Sequence, residues 1–137
     1  MNSYLSTICK SQEFTNILSG IERDKAQEVI LGLSGTAKSY LVAALYRSTT
    51  TRPFILITYN PQRAEKLEQD LATFLSPDEV MVFPHPEIWP HEDASESVDV
   101  LSQRIAVMSA LARRVRKIFI VPARAVSRKL MPLHVFS

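Results

Sequence analysis

The apolar positions of the chain switch between two spacings. Phe14, Ile17, Leu18 and Ile21 recur at i, i+3, i+4 and i+7, one face of a helix, and Gly20 offers a stop. Four short runs are instead continuously apolar: "EVILGL" (28–33), "PFILIT" (53–58), "EVMVF" (79–83) and "KIFIVP" (117–122). They read as strands, and the β-branched "PFILIT" as one buried on both faces. Helical spacing returns between them. "SYLVAALYRS" (39–48) presents Leu41, Val42, Ala44 and Leu45 to a sheet. Asn60 and Pro61 make an N-cap and first-turn pair for a helix with Ala64, Leu67, Leu71 and Phe74 inside and Arg63, Glu65, Glu68 and Asp70 outside. After a Pro-rich loop, "PHPEIWPHEDASES" (84–97), comes a helix bearing Val98, Leu101, Ile105 and Met108, and "ARAVSRKLM" (123–131) reads as a short closing helix. Alternating strands and helices predict an α/β fold, a parallel sheet with flanking helices joined by right-handed crossovers. No repeat or low-complexity linker divides residues 1–137, so they read as a single domain.

The first predicted strand runs into "LGLSGTAKSYL" (31–41), close to the Walker A pattern Gly-x-x-x-x-Gly-Lys-Ser/Thr. A strand, a Gly-bearing loop and a helix follow in the order a phosphate loop requires. Candidate phosphate-binding residues are Gly32, Ser34, Gly35, Thr36, Ala37, Lys38 and Ser39. Lys38 and Ser39 are the types that reach phosphate and hold magnesium, but Ala37 stands where the second glycine belongs. A methyl group there costs about 1–3 kcal/mol, or roughly ten- to a hundred-fold in affinity. Hydrolysis also needs a carboxylate at the end of a buried strand, and neither "PFILITYN" nor "KIFIVPAR" ends in one. Asp78 and Glu79 precede their strand, at the wrong edge of a parallel sheet, and Glu92 and Asp93 lie in the Pro-rich loop. The loop reads as degenerate, with no catalytic residue assigned and no cofactor expected for this segment.

Composition narrows the class further. A chain of 137 residues with 46% apolar and 22% charged positions suits one globular domain, and a net charge of +2 gives no argument for nucleic acid. The basic cluster Arg113, Arg114, Arg116 and Lys117 reads as a solvated helix end where cations complement the dipole. Cys9 is the only cysteine, which excludes an internal disulfide and fits a reducing cytoplasm; neither a signal peptide nor a membrane span is present. His85, His91 and His134 lack further ligands at metal-binding spacing, so no metal site is assigned. Trp89 reads as a loop aromatic folded onto the domain.

"LGLSGTAKSYLVAALY", "FILITYNPQRAEKLEQDL", "VFPHPEIWPHEDASESVDVLSQRIAVMSAL" and "IFIVPARAVSRKLMP" together resemble the N-terminal segment of bacterial transcription-repair coupling factors (Mfd). The altered loop and the stretch from Ser95 to Arg104 are its most specific pieces, and the resemblance runs from Phe14 to Pro132. It implies a UvrB-like, RecA-like P-loop NTPase half-domain whose nucleotide site has lost function, in a piece of a much larger protein. The family's whole protein is an ATP- and magnesium-dependent DNA translocase that removes stalled RNA polymerase from double-stranded DNA and recruits UvrA for nucleotide excision repair. Three readings follow: a catalytically silent scaffold domain, half of an active ATPase or helicase whose acidic motif lies outside this chain, or a free-standing binding module for an anion or phosphate.

Overall fold

The sheet is built around the strand that comes last in the chain. In the computed structural model, which describes residues 3–24, 29–85, 98–126 and 132–135, β1 (Phe54–Thr58), β2 (Val80–Val82) and β3 (Ile118–Pro122) are parallel in the order β1-β3-β2. Phe54 stands opposite Ile118 and Thr58 opposite Pro122, while Val80 shares Ile118 from the other side. Every residue of β3 is buried. Continuous apolarity there serves two neighbours and two covered faces.

Five helices surround these strands among the described residues: α1 (Ser3–Ile8), α2 (Gln12–Glu22), α3 (Thr36–Ser48), α4 (Pro61–Ala72) and α5 (Val98–Ala112). α4 carries the chain from β1 past β3 to β2, and α5 brings it back to β3. Right-handed crossovers running in opposite lateral directions must lie on opposite faces. The packing agrees. Ile118 and Ile120 join Leu41, Leu45, Tyr46, Ala64 and Leu71 on the α3–α4 side. Phe119 and Val121 join Phe83, Val107 and Ala125 on the α5 side.

α4 starts where its sequence says. The Asn60 side chain accepts from Arg63 N–H at 2.9 Å, and Pro61 occupies the first turn. α3 ends on a residue from the basic cluster. Arg116 lies 4.1 Å from the centre of the Tyr46 ring and donates to the carbonyls of Tyr46 and Thr49 at 2.6 Å each. A cation on the last carbonyls of a helix satisfies orphan acceptors and opposes the dipole. The helix so served is α3, not the one that precedes the cluster.

Several expectations are corrected. Residues 29–33 form no strand, and Val29 and Leu31 are 73% and 86% exposed. An apolar run becomes a strand only where a neighbour completes its ladder, and no described strand adjoins it. "PFILIT" is covered on one face only: Ile55 and Ile57 are 57% and 77% exposed, because β1 is an edge strand. α5 turns Arg104, Val107, Met108 and Leu111 inward and leaves Val98, Leu101 and Ile105 exposed. Gly20 does not stop its helix, which runs to Glu22 and turns at Asp24 with φ +55°. Residues 86–97, with Trp89, His91, Glu92, Asp93 and Ser95, lie outside the described residues, as do 127–131; Ala123–Val126 is a 3-10 turn. α1 was not anticipated from the sequence.

Candidate functional site

The loop at residues 32–39 is shaped by its two glycines. Gly32 has φ +85° and Gly35 has φ +53° with ψ −133°, both outside the range of ordinary side chains. Nothing lies within 4 Å of a Cβ built at either position, so backbone conformation, not space, requires glycine. Ala37 falls in the first turn of α3, where a methyl group is at home. The Ala37 N–H donates to Ser34 O at 3.2 Å and the Lys38 N–H to Gly35 O at 3.4 Å. In a loop wrapped for phosphate these amides face the anion. Here they close turns. Ser34, Gly35, Thr36, Ala37 and Lys38 are exposed.

Ser39 is the exception, at 1% exposure. Its hydroxyl donates to Asp70 Oδ2 over a long 3.4 Å, and Lys66 Nζ stands 3.6 Å from the other carboxylate oxygen. Apolar spacing puts Asp70 on the outer face of α4, whereas in the structure it is half-buried beside α3. No apolar periodicity marks such a carboxylate, since one face of α4 meets both the sheet and α3.

Lys38 lines an open cleft of about 500 Å³ with Ser39, Arg63, Lys66, Asp70 and the outer edge of β1. Among the described residues its ammonium group has no hydrogen bond or ion pair. α4 runs back from the carboxyl end of β1, so Asp70 in its last turn sits toward the amino ends of the strands. The same cleft also takes in Thr58 and Tyr59 at the carboxyl end of β1, the edge where open parallel sheets bind ligands. That edge carries a separate cleft of about 590 Å³, lined by Tyr59, Asn60, Gln62, His85 and Arg124 among others and by no residue of the loop. Glu79, at the amino end of β2, is held by Arg47 through two hydrogen bonds of 2.8 and 2.9 Å. Among the described residues no three His, Cys, Asp or Glu side chains gather as a metal site, and no helix is long and apolar enough to cross a membrane.

Comparison with known proteins gives one consistent answer. The chain is 31% identical over 136 residues to the transcription-repair-coupling factor of Bacillus subtilis, covering 99% of this chain. It is 32% identical over 112 residues to that of Staphylococcus aureus strain USA300, covering 82%. The chain is a transcription-repair-coupling-factor-like segment. It spans 12% and 10% of the length of those two relatives. No family model matches it, and no solved structure gives a significant match.

A residue of this transcription-repair-coupling-factor-like segment that apolar spacing missed is Arg104. Only 7% exposed, it stacks 4.8 Å from the centre of the Phe83 ring and donates to Pro84 O at 3.2 Å and Ala125 O at 3.3 Å. It ties α5 to the chain leaving β2 and to the turn after β3. The signal was its place at the end of the Ser95–Arg104 stretch that carries the family resemblance.

Proposed function

We propose that this segment is a catalytically silent, RecA-like scaffold domain of a transcription-repair-coupling factor. In that reading the whole protein is a cytoplasmic, ATP-dependent DNA translocase that acts on stalled RNA polymerase and recruits UvrA, and this segment supports neighbouring domains. The observation that carries it is the engagement of the phosphate-loop groups within the fold. Ser39 is tied to Asp70, and the Ala37 and Lys38 amides bond within their own turn. A magnesium–nucleotide complex needs those groups free.

One observation favours the second reading, half of an active ATPase whose acidic motif lies elsewhere. Lys38 lines an open cleft, and its ammonium group has no partner among the described residues. Calorimetric titration of the chain with ATP and magnesium separates the two. The scaffold reading predicts no heat above dilution; tight magnesium-dependent binding that is lost in Lys38→Ala establishes the other.

A further inference from the structure

Above the carboxyl end of β3 the sheet opens into a crevice, and the path of the chain creates it. The chain leaving β1 turns at Asn60 into α4 on one face, and the connection from β2 leads to α5 on the other. β3 ends between them. Where connections depart to opposite faces, the strand order reverses and leaves an opening at the carboxyl ends. That opening is the cleft of about 590 Å³, and each strand end supplies part of its lining: Asn60 after β1, His85 after β2 and Arg124 after β3.

The three walls are held before anything binds. The Thr58 hydroxyl donates to Asn60 O at 3.2 Å, and the Asn60 side-chain carbonyl accepts from Arg63 N–H, which fixes the start of α4. The Phe83 N–H donates to Ile120 O at 2.8 Å and carries the β2–β3 pairing up to the rim. Arg104 ties the other two walls together, donating to Pro84 O next to His85 and to Ala125 O next to Arg124. A site fixed in this way loses little conformational freedom on binding.

The walls offer mainly donors. With its oxygen engaged by Arg63, the Asn60 amide has its NH2 group left to give. Gln62 follows Pro61 in the first turn of α4, so its N–H is one that the helix cannot satisfy. Arg124 brings a permanent cation. His85 Nδ1 is buried with no partner among the described residues, and a ligand group beside the ring supplies one. Donors from three sides suit a group with three terminal oxygens, a phosphate monoester, better than a flat carboxylate. Charge limits the ligand to one such group. Among the described residues Arg124 is the only Lys or Arg in the lining, and Glu65 stands there too. The remainder is apolar, with buried Phe83 and Pro122 below and the 84%-exposed Tyr59 ring at the rim.

We propose that this cleft binds a small phosphate monoester with an aromatic or apolar body, its phosphate among Asn60, His85 and Arg124 and its body against Phe83 and Tyr59. No residue of the nucleotide loop lines the cleft, so the site is independent of how that loop is read.

Phenyl phosphate is the probe, titrated into the 137-residue chain and followed by backbone amide and imidazole nitrogen resonances. Saturable shifts are expected at the Gln62 amide and the His85 ring. Arg124→Gln weakens binding at least about tenfold, the worth of one charge-assisted hydrogen bond. Tyr59→Ala weakens phenyl phosphate severalfold and leaves inorganic phosphate unchanged, whereas Lys38→Ala changes neither. Absence of a saturable shift at about 10 mM, which fills even a millimolar site, overturns the proposal. Binding that is lost in Lys38→Ala also overturns it, by moving the anion to the loop. So does a single-stranded oligonucleotide that binds the same residues more tightly than phenyl phosphate, since the ligand is then a nucleic acid.

Discussion

The hydroxyl of Ser39 and the carboxylate of Asp70 meet 3.4 Å apart, joining the start of α3 to the last turn of α4. The two partners have unequal alternatives. Asp70 also has Lys66 at 3.6 Å, while Ser39 is 1% exposed and its hydroxyl has Asp70 alone as a partner among the described residues. Asp70→Ala therefore strands a buried hydroxyl and costs about 1–2 kcal/mol, whereas Ser39→Ala costs less than about 1 kcal/mol. Urea unfolding of both variants checks the order. A larger loss for Ser39→Ala shows that the hydroxyl has a further role.

Ala37→Gly leaves the segment without ATPase activity. The residue sits in a helical turn, so glycine removes helix propensity worth up to about 1 kcal/mol and leaves Ser39 still bound to Asp70. Steady-state phosphate release from the purified variant is the measurement. Turnover above background, abolished by Lys38→Ala, is the result that contradicts the silent reading.

Arg104 is a larger structural determinant than any residue of the loop. Arg104→Ala leaves the carbonyls of Pro84 and Ala125 short of a donor and opens space beside Phe83, at about 3 kcal/mol. Arg104→Lys keeps the charge but not the flat stacking surface, and recovers only part of the loss. Thermal melts of the two variants rank them, and a lysine variant as stable as the parent rejects the stacking account.

Glu79 makes stability fall in acid. Burial pushes its carboxyl pKa up, but the Ser76 amide and hydroxyl and the Arg47 guanidinium outweigh this and hold it below its ordinary value. A folded pKa below the unfolded one means stability that is present above the unfolded pKa and is lost as pH falls through the folded one. The difference in stability between the parent and Glu79→Gln is therefore largest near neutral pH and shrinks below the usual carboxylate range. A difference that stays constant across that range removes Glu79 from the account.

What the sequence made legible was local. The strands around Leu56, Met81 and Ile120 and the Asn60–Pro61 helix start are read from apolar runs and cap chemistry, because those signals lie within a few residues. The sequence does not carry the number of neighbours a strand will have. "PFILIT" and "KIFIVP" look alike, yet one became an edge and the other the centre; "EVILGL" looks like both and, over 29–33, is no strand. The same limit hid Asp70, Arg104 and Arg116. Each is a charged residue whose partners lie tens of positions away, and polarity alone places such residues outside.

The central place of β3 has a consequence for how the protein comes into being. β1 and β2 never touch, so a chain emerging from the ribosome has no sheet to form until Ile118 and the residues after it are available. Up to that moment the two early strands expose both edges, and helices α3 and α4 have only half a surface to rest on. Assembly therefore waits on a contact between residues 54 and 118, a long loop closure that slows folding and extends the time in which apolar edges are open to other chains. Synthesis that halts before Ile118 leaves two isolated ribbons rather than a smaller version of the same domain.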